Sequence, residues 1–112
     1  MLSNKTIARL NEIAALEDNW NGYGAQALSN NVIDNTRTVL SYLNFDTQIY
    51  PTGRNSIQLE YGDDKDRIEL EVFEDQAQYD VVKNYDYVLC DEPITIEDCV
   101  AVLNDFSVQN KK

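Results

Sequence analysis

The apolar positions of this chain follow two periods, and the change between them near residue 48 sets the fold expectation. Through residue 43 they recur every three to four residues, as on one stripe of a helix. Ile7, Leu10, Ile13, Ala14 and Leu16 make the first stripe. Ser3 is placed to cap it and Leu2 to staple against Ile7, so a helix is predicted from Asn4 to Glu17. Val32, Ile33, Thr36, Val39, Leu40 and Leu43 make the second, on a helix starting after Ser29 or Asn30, while Asp34, Asn35, Arg37 and Thr38 lie off the stripe. Between the two, Asn19, Asn21, Gly22 and Gly24 supply the positive-φ conformations of a tight loop.

From Ile49 onward the period is two. After the break at Pro51-Thr52-Gly53, Ile57, Leu59 and Tyr61 alternate with Gln58 and Glu60, and Ile68, Leu70 and Val72 alternate with Glu69 and Glu71. These segments predict two half-buried strands joined by a hairpin. Pairing Leu59 with Ile68 sets Glu60 opposite Arg67, whereas a slip of two sets Glu60 opposite Glu69, so charge favours the first register with Gly62 to Lys65 as the loop. A third strand is expected over Gln78 to Lys83 and a short edge strand over Tyr85 to Cys90. Pro93 closes that segment, and Thr95 with Asp98 forms a capping box for a last helix from Ile96 to about Phe106, with Ile94 placed to staple against Cys99. Cys99, Val102, Leu103 and Phe106 form its apolar face, and residues 108–112 read as a frayed tail.

The predicted order α-α-β-β-β-β-α lacks the strand–helix alternation of a parallel sheet. The fold class is therefore α+β: an antiparallel meander of three to four strands with helices on one face. Gln58, Glu60, Arg67, Glu69 and Glu71 would form the solvated, mainly acidic opposite face. At 112 residues the chain fits a single domain, spanning 1–112, that buries roughly 65% of its unfolded surface without staples.

Composition narrows the function classes. Twenty Asp and Glu against nine Lys and Arg leave a formal charge of −11, which repels phosphate backbones and anionic lipid. Nucleic acid and membrane are therefore not expected as partners. No apolar run is long enough to span a bilayer and no signal-peptide pattern opens the chain, so a cytoplasmic location is expected. Cys90 and Cys99 fit neither a redox pair nor a zinc knuckle and read as reduced, buried thiols.

The loop Asn19-Trp20-Asn21-Gly22-Tyr23-Gly24-Ala25, followed by Pro51-Thr52-Gly53 and the strand Ser56 to Tyr61, resembles a group of small bacterial and phage proteins of unassigned function that share an NWxGYGA-type loop. In that group the strand often ends Leu-Glu-Trp, where this chain has Leu59-Glu60-Tyr61. The resemblance covers about the first two thirds of the chain. It implies a bacterial or mobile-element origin and lends no catalytic residues or cofactor.

Each candidate site has a structural competitor. Trp20 and Tyr23 could form a recognition surface, or Trp20 could plug the end of the core with its indole N–H on a loop carbonyl. The loop lacks the lysine and glycine spacing of a phosphate cradle. Asp63, Asp64 and Asp66 miss the calcium-loop spacing and read as a hairpin turn. Glu60, Glu69 and Glu71 could act as paired carboxylates, or be the wet side of a sheet. The chain has no histidine, which removes Ser–His and Cys–His catalysis and the commonest zinc ligand.

Tyr50, Tyr61, Tyr79, Tyr85 and Tyr87 lie in or beside the strands, where they complete the core border or form a contact surface. The reading that follows is a non-enzymatic interaction module of inhibitor, antitoxin, immunity or phage accessory type. It would bind another protein with a basic surface through Trp20, Tyr23, Tyr61, Tyr79, Tyr85, Tyr87, Glu60, Glu69 and Glu71, and one form of it is mimicry of nucleic-acid charge. Its rivals are a carboxylate-dependent metal enzyme and a structural subunit that self-associates through its edge strand.

Overall fold

The computed structural model describes residues 2–109. Its elements are α1 (Asn4–Ala14), α2 (Asn30–Ser41), β1 (Gln48–Pro51), β2 (Ile57–Gly62), β3 (Arg67–Val72), β4 (Ala77–Lys83), β5 (Asp86–Ile94) and α3 (Cys99–Gln109). The five strands form one antiparallel meander in chain order, so the class is α+β.

The inward side chains Ile57, Leu59, Ile68, Leu70 and Val72 are fully buried and pack with Leu10 and Ile13 of α1, Val32, Val39 and Leu40 of α2, and Cys99, Leu103 and Phe106 of α3. All three helices share this face of the sheet. The stripe from Val32 to Leu43 is buried at every position named above. Ser29 caps α2 through Val32 N, and Ser3 caps α1 through Thr6 N at 3.1 Å. The helix α1 ends at Ala14 rather than Glu17, because the Ala15 and Leu16 amides fold back on Asn11, Glu12 and Ile13 carbonyls and tighten the last turn. Ile7 and Ala14, expected on the apolar stripe, are exposed, and Thr6 is buried beside Leu10 and Ile13.

Five corrections to the sequence reading bear on the surface. First, the β2–β3 register sets Leu59 opposite Leu70 and Glu60 opposite Glu69, two residues away from the charge-favoured pairing. The loop is Asp63 to Asp66, held by Asp63 Oδ1 accepting from the Lys65 and Asp66 amides at 3.0 and 2.9 Å. This turn overrides a cross-strand charge pair, and Arg67 reaches Glu69 along its own strand at 2.7 Å. Second, Gln48–Pro51 is a strand, paired with β2, which makes five strands instead of three or four. Only Ile49 of that strand is buried, too little to show a period.

Third, β5 continues through Pro93 to Ile94. An edge strand tolerates proline because it needs no donor on its open side. Fourth, the expected capping bond from the Asp98 amide to Thr95 Oγ1 is present at 3.2 Å, but residues 96–98 form a turn and α3 starts at Cys99 instead of Ile96. Its end runs to Gln109, so Val108 and Gln109 are helical, and residues 110–112 of the expected frayed tail lie outside the described residues. Fifth, Cys90 is exposed and only Cys99 is buried.

Candidate functional site

The sheet has two faces and two edges, and the residues singled out from sequence are divided among them. On the face away from the helices, Glu60, Glu69 and Glu71 line up as expected, but they are half-buried to buried rather than freely solvated. Each is engaged. Glu71 takes a two-pronged bond from Arg54, with Arg54 Nε to Glu71 Oε2 at 2.8 Å, and a further bond from the buried Ser56 hydroxyl. Burial pushes the Glu71 carboxyl up, yet the Arg54 and Ser56 bonds together with the Arg54 charge outweigh it and hold the group below its ordinary value. Glu69 is bonded by Arg67, whose guanidinium also donates to the Tyr87 hydroxyl at 3.1 Å and lies 5.7 Å from that ring's centre. Glu60 accepts from Gln58 Nε2 at 2.7 Å.

This arrangement fits a braced sheet surface better than a catalytic dyad or a row of free charges. Two of the three carboxylates, Glu71 and Glu69, are paired with arginines of the chain itself. Among the described residues, no group of three or more His, Cys, Asp or Glu side chains is arranged to hold a metal ion.

Trp20 and Tyr23 lie in the loop between α1 and α2, which comes close to the β1–β2 connection: a Cβ on Gly53 would sit 3.4 Å from Asn21 Nδ2. The half-buried Trp20 donates its indole N–H to the Gln26 carbonyl at 3.0 Å. Asn19 at φ 65° and the Asn21 side chain hold the loop backbone, and Tyr23 projects from it 92% exposed. Tyr61 faces the helices, its ring 4.4 Å from that of Phe45 and edge-on to Phe106 at 6.3 Å, so it borders the core.

The two sheet edges differ sharply. At the β1 edge, α1 packs against the strand and Arg9 Nε donates to the Ile49 carbonyl at 3.1 Å. The β5 edge is open, with eight of its nine residues exposed. Helices α2 and α3 lie chiefly on β2 and β3, and although Ala77 and Val81 of β4 are still buried, β5 carries the sheet beyond the helix layer.

At that end, a groove between β4–β5 and α3 is lined by Tyr79, Val81, Val88, Leu89, Val102 and Phe106. Its shape comes from an irregular strand. Val82 pairs with Tyr87 but Val81 pairs with Leu89, which leaves Val88 as an extra residue, a bulge that brings two consecutive apolar side chains, Val88 and Leu89, to the same groove. A second irregularity centres on Asp91 at φ 53°, whose amide is held by Asp80 Oδ1 at 2.7 Å. Val88 is 55% exposed and Leu89 38%, and Tyr85 and Tyr87 flank them on the turn and the outer face.

The C-terminal third of the chain is acidic, although Glu74, Asp75 and Glu97 lie at a separate surface beside α2. Residues 74–109 hold nine acids and one cation, Lys83. Asp105 borders the groove, while Asp86 and Glu92 stand opposite Lys83 and Tyr79 in the ladder. Of the residues named from sequence, Tyr79, Tyr85 and Tyr87 belong to this end. Val88 and Leu89 were not among those site candidates, because the bulge after Tyr87 breaks the alternation from which facing is read, and Val102 was read as part of the apolar face of the last helix.

No family model, curated protein or solved structure matches the chain. No helix among the described residues is long and apolar enough to cross a membrane. The functional reading therefore rests on the surface itself.

Proposed function

We propose that this protein is a non-enzymatic interaction module that binds a partner with a basic surface through the acid-rimmed apolar end of its sheet, at β4, β5 and α3. One observation carries this reading: exposed Val88 and Leu89 and half-buried Tyr79 and Val102 line an open groove over the buried Val81 at the free edge, while the rest of the inward face is covered by helices. Contiguous exposed apolar surface with a polar rim marks interaction sites in soluble proteins. The surrounding carboxylates favour encounter with a basic partner and disfavour association of two copies that each carry −11.

The bacterial or phage origin implied by the loop resemblance suits an inhibitor, antitoxin, immunity or phage accessory role. The experiment is association with candidate basic partners across ionic strength, comparing the wild-type chain with Leu89→Glu. Affinity that falls with salt and is lost in Leu89→Glu supports the reading. Affinity indifferent to both overturns it.

A further inference from the structure

We infer that the partner element seated in the β4–β5/α3 groove is an amphipathic α-helix with a basic outer face, which would complete the helix layer of this fold. The inference rests on the reading of this end of the sheet as a protein-binding surface, and it goes further by naming the mode of binding.

The argument begins with what an open edge ordinarily invites. An unpaired strand offers its backbone to an added strand, and proteins that avoid this use bulges, prolines and charges on the edge. Strand β5 carries all three: two register shifts within nine residues, Pro93, and Asp86, Asp91 and Glu92. An incoming strand needs donors and acceptors at an even spacing, and the extra residue at Val88 and the positive-φ turn at Asp91 interrupt it twice. The edge is built against strand addition.

The same bulge does something else. By sending Val88 and Leu89 to the helix side together, it widens the apolar surface beside α3. Two strand spacings of roughly 4.8 Å make a strip about 10 Å wide, which here runs from the buried Val81 on β4 across β5 to the margin beyond the edge. A helix with its side chains is about 10–12 Å across. On β2 and β3 the corresponding strip is occupied by α2 and α3, and at the β1 end by α1. A helix laid beside α3 would bring one apolar stripe against Tyr79, Val81, Leu89 and Val102, the same layer these residues' neighbours already share with α3.

Charge selects which helix. Asp105 on α3 and Lys83 on β4 line the groove, and β5 adds Asp86 opposite Lys83 and Glu92 opposite Tyr79, so acids outnumber cations three to one around it. Lysine or arginine flanking an apolar stripe would pair with these carboxylates, whereas an acidic helix, such as one from a second copy, would meet repulsion.

Three labelled peptides of equal charge test this against the full-length chain by fluorescence anisotropy. One is an 18-residue Leu/Lys peptide with leucines at helical spacing, one has the same composition scrambled, and one alternates Leu and Lys as a strand would. Backbone amide shifts by NMR locate each contact. The expected result is binding of the helical peptide at least tenfold tighter than of either other peptide. Shifts should centre on Tyr79, Val81, Leu89 and Val102, peptide helicity should rise on binding, and Leu89→Glu and the rim variant Asp105→Lys should each weaken binding at least threefold. Preference for the alternating peptide with shifts along the β5 backbone would overturn the helix in favour of strand addition. Equal binding of helical and scrambled peptides would overturn groove recognition of any helix. A concentration-dependent dimer abolished by Leu89→Glu would assign the groove to a second copy. In the first and last of these cases the end of the sheet still binds protein, so the inference fails while the broader reading of the surface is judged by its own salt and Leu89→Glu experiment.

Discussion

Glu60 and Glu69 stand directly opposite each other on β2 and β3, two carboxylates in one cross-strand pair. Like charges so placed disfavour the ladder, and here they are tolerated because each has a second partner, Gln58 for Glu60 and Arg67 for Glu69, both at 2.7 Å. The register is imposed by the Asp63–Asp66 turn. Replacing Glu60 with Lys would place opposite charges across the pair and is expected to stabilise the fold by roughly 0.2–1 kcal/mol. Urea unfolding checks this: the midpoint should rise with an unchanged slope.

The same hairpin depends on Gly62. Its φ of +114° lies where side chains are strained, and a Cβ there would sit 2.2 Å from the Asp66 carbonyl oxygen. Gly62→Ala is therefore expected to cost at least about 1–3 kcal/mol. Gly24, at φ +87° with nothing within 4 Å of its would-be Cβ, meets backbone strain alone. Thermal unfolding of both variants should rank Gly62→Ala as clearly the more damaging, and equal losses would show that the close approach to Asp66 is relieved by movement of the turn.

These cases show which parts of the fold can be read from the chain. The helix from Asn30 to Ser41 is legible because its stripe from Val32 to Leu43 repeats through three turns and a serine precedes it. The facing of β2 and β3 is legible because Ile57, Leu59, Ile68 and Leu70 alternate. Their register is not, since a slip of two keeps every one of those side chains inward and leaves the choice to a turn whose hydrogen bonds are local. The strand Gln48–Pro51 is hidden because only Ile49 points into the core. The groove is hidden for a third reason: Tyr87, Val88 and Leu89 read as one continuous strand, and no residue in that run announces the bulge that turns two of them the same way.

The two cysteines should react differently. Cys99 is fully buried with its thiol donating to the Thr95 carbonyl at 3.4 Å, and burial, aided by Asp98 and Glu97, pushes its pKa up to about 12. Cys90 lies exposed on β5. A maleimide at pH 7.5 is expected to add once to the folded chain, at Cys90, and twice in denaturant, as read by mass spectrometry. Rapid double labelling under native conditions would mean that α3 opens readily from the sheet.

Glu71 gives the fold an acid-sensitive joint. Its carboxylate ties the Arg54 loop to β3 and accepts from buried Ser56, and the net effect of these bonds against burial is a lowered pKa. The folded state therefore ionises this group more readily than the unfolded chain, for which the ordinary value is 4.5. The resulting stabilisation is complete above that value and is lost as pH falls through the lower folded value. Glu71→Gln keeps the shape but removes the charge, so it is expected to cost about 1–3 kcal/mol at pH 7 by weakening the bonds from Arg54 and Ser56. The cost should shrink on acidification, because the protonated wild-type side chain then resembles the variant. Urea unfolding of the two proteins from pH 7 to pH 3 checks this: converging stability curves are expected, and a constant gap across the range would assign the effect of Glu71 to packing instead of charge.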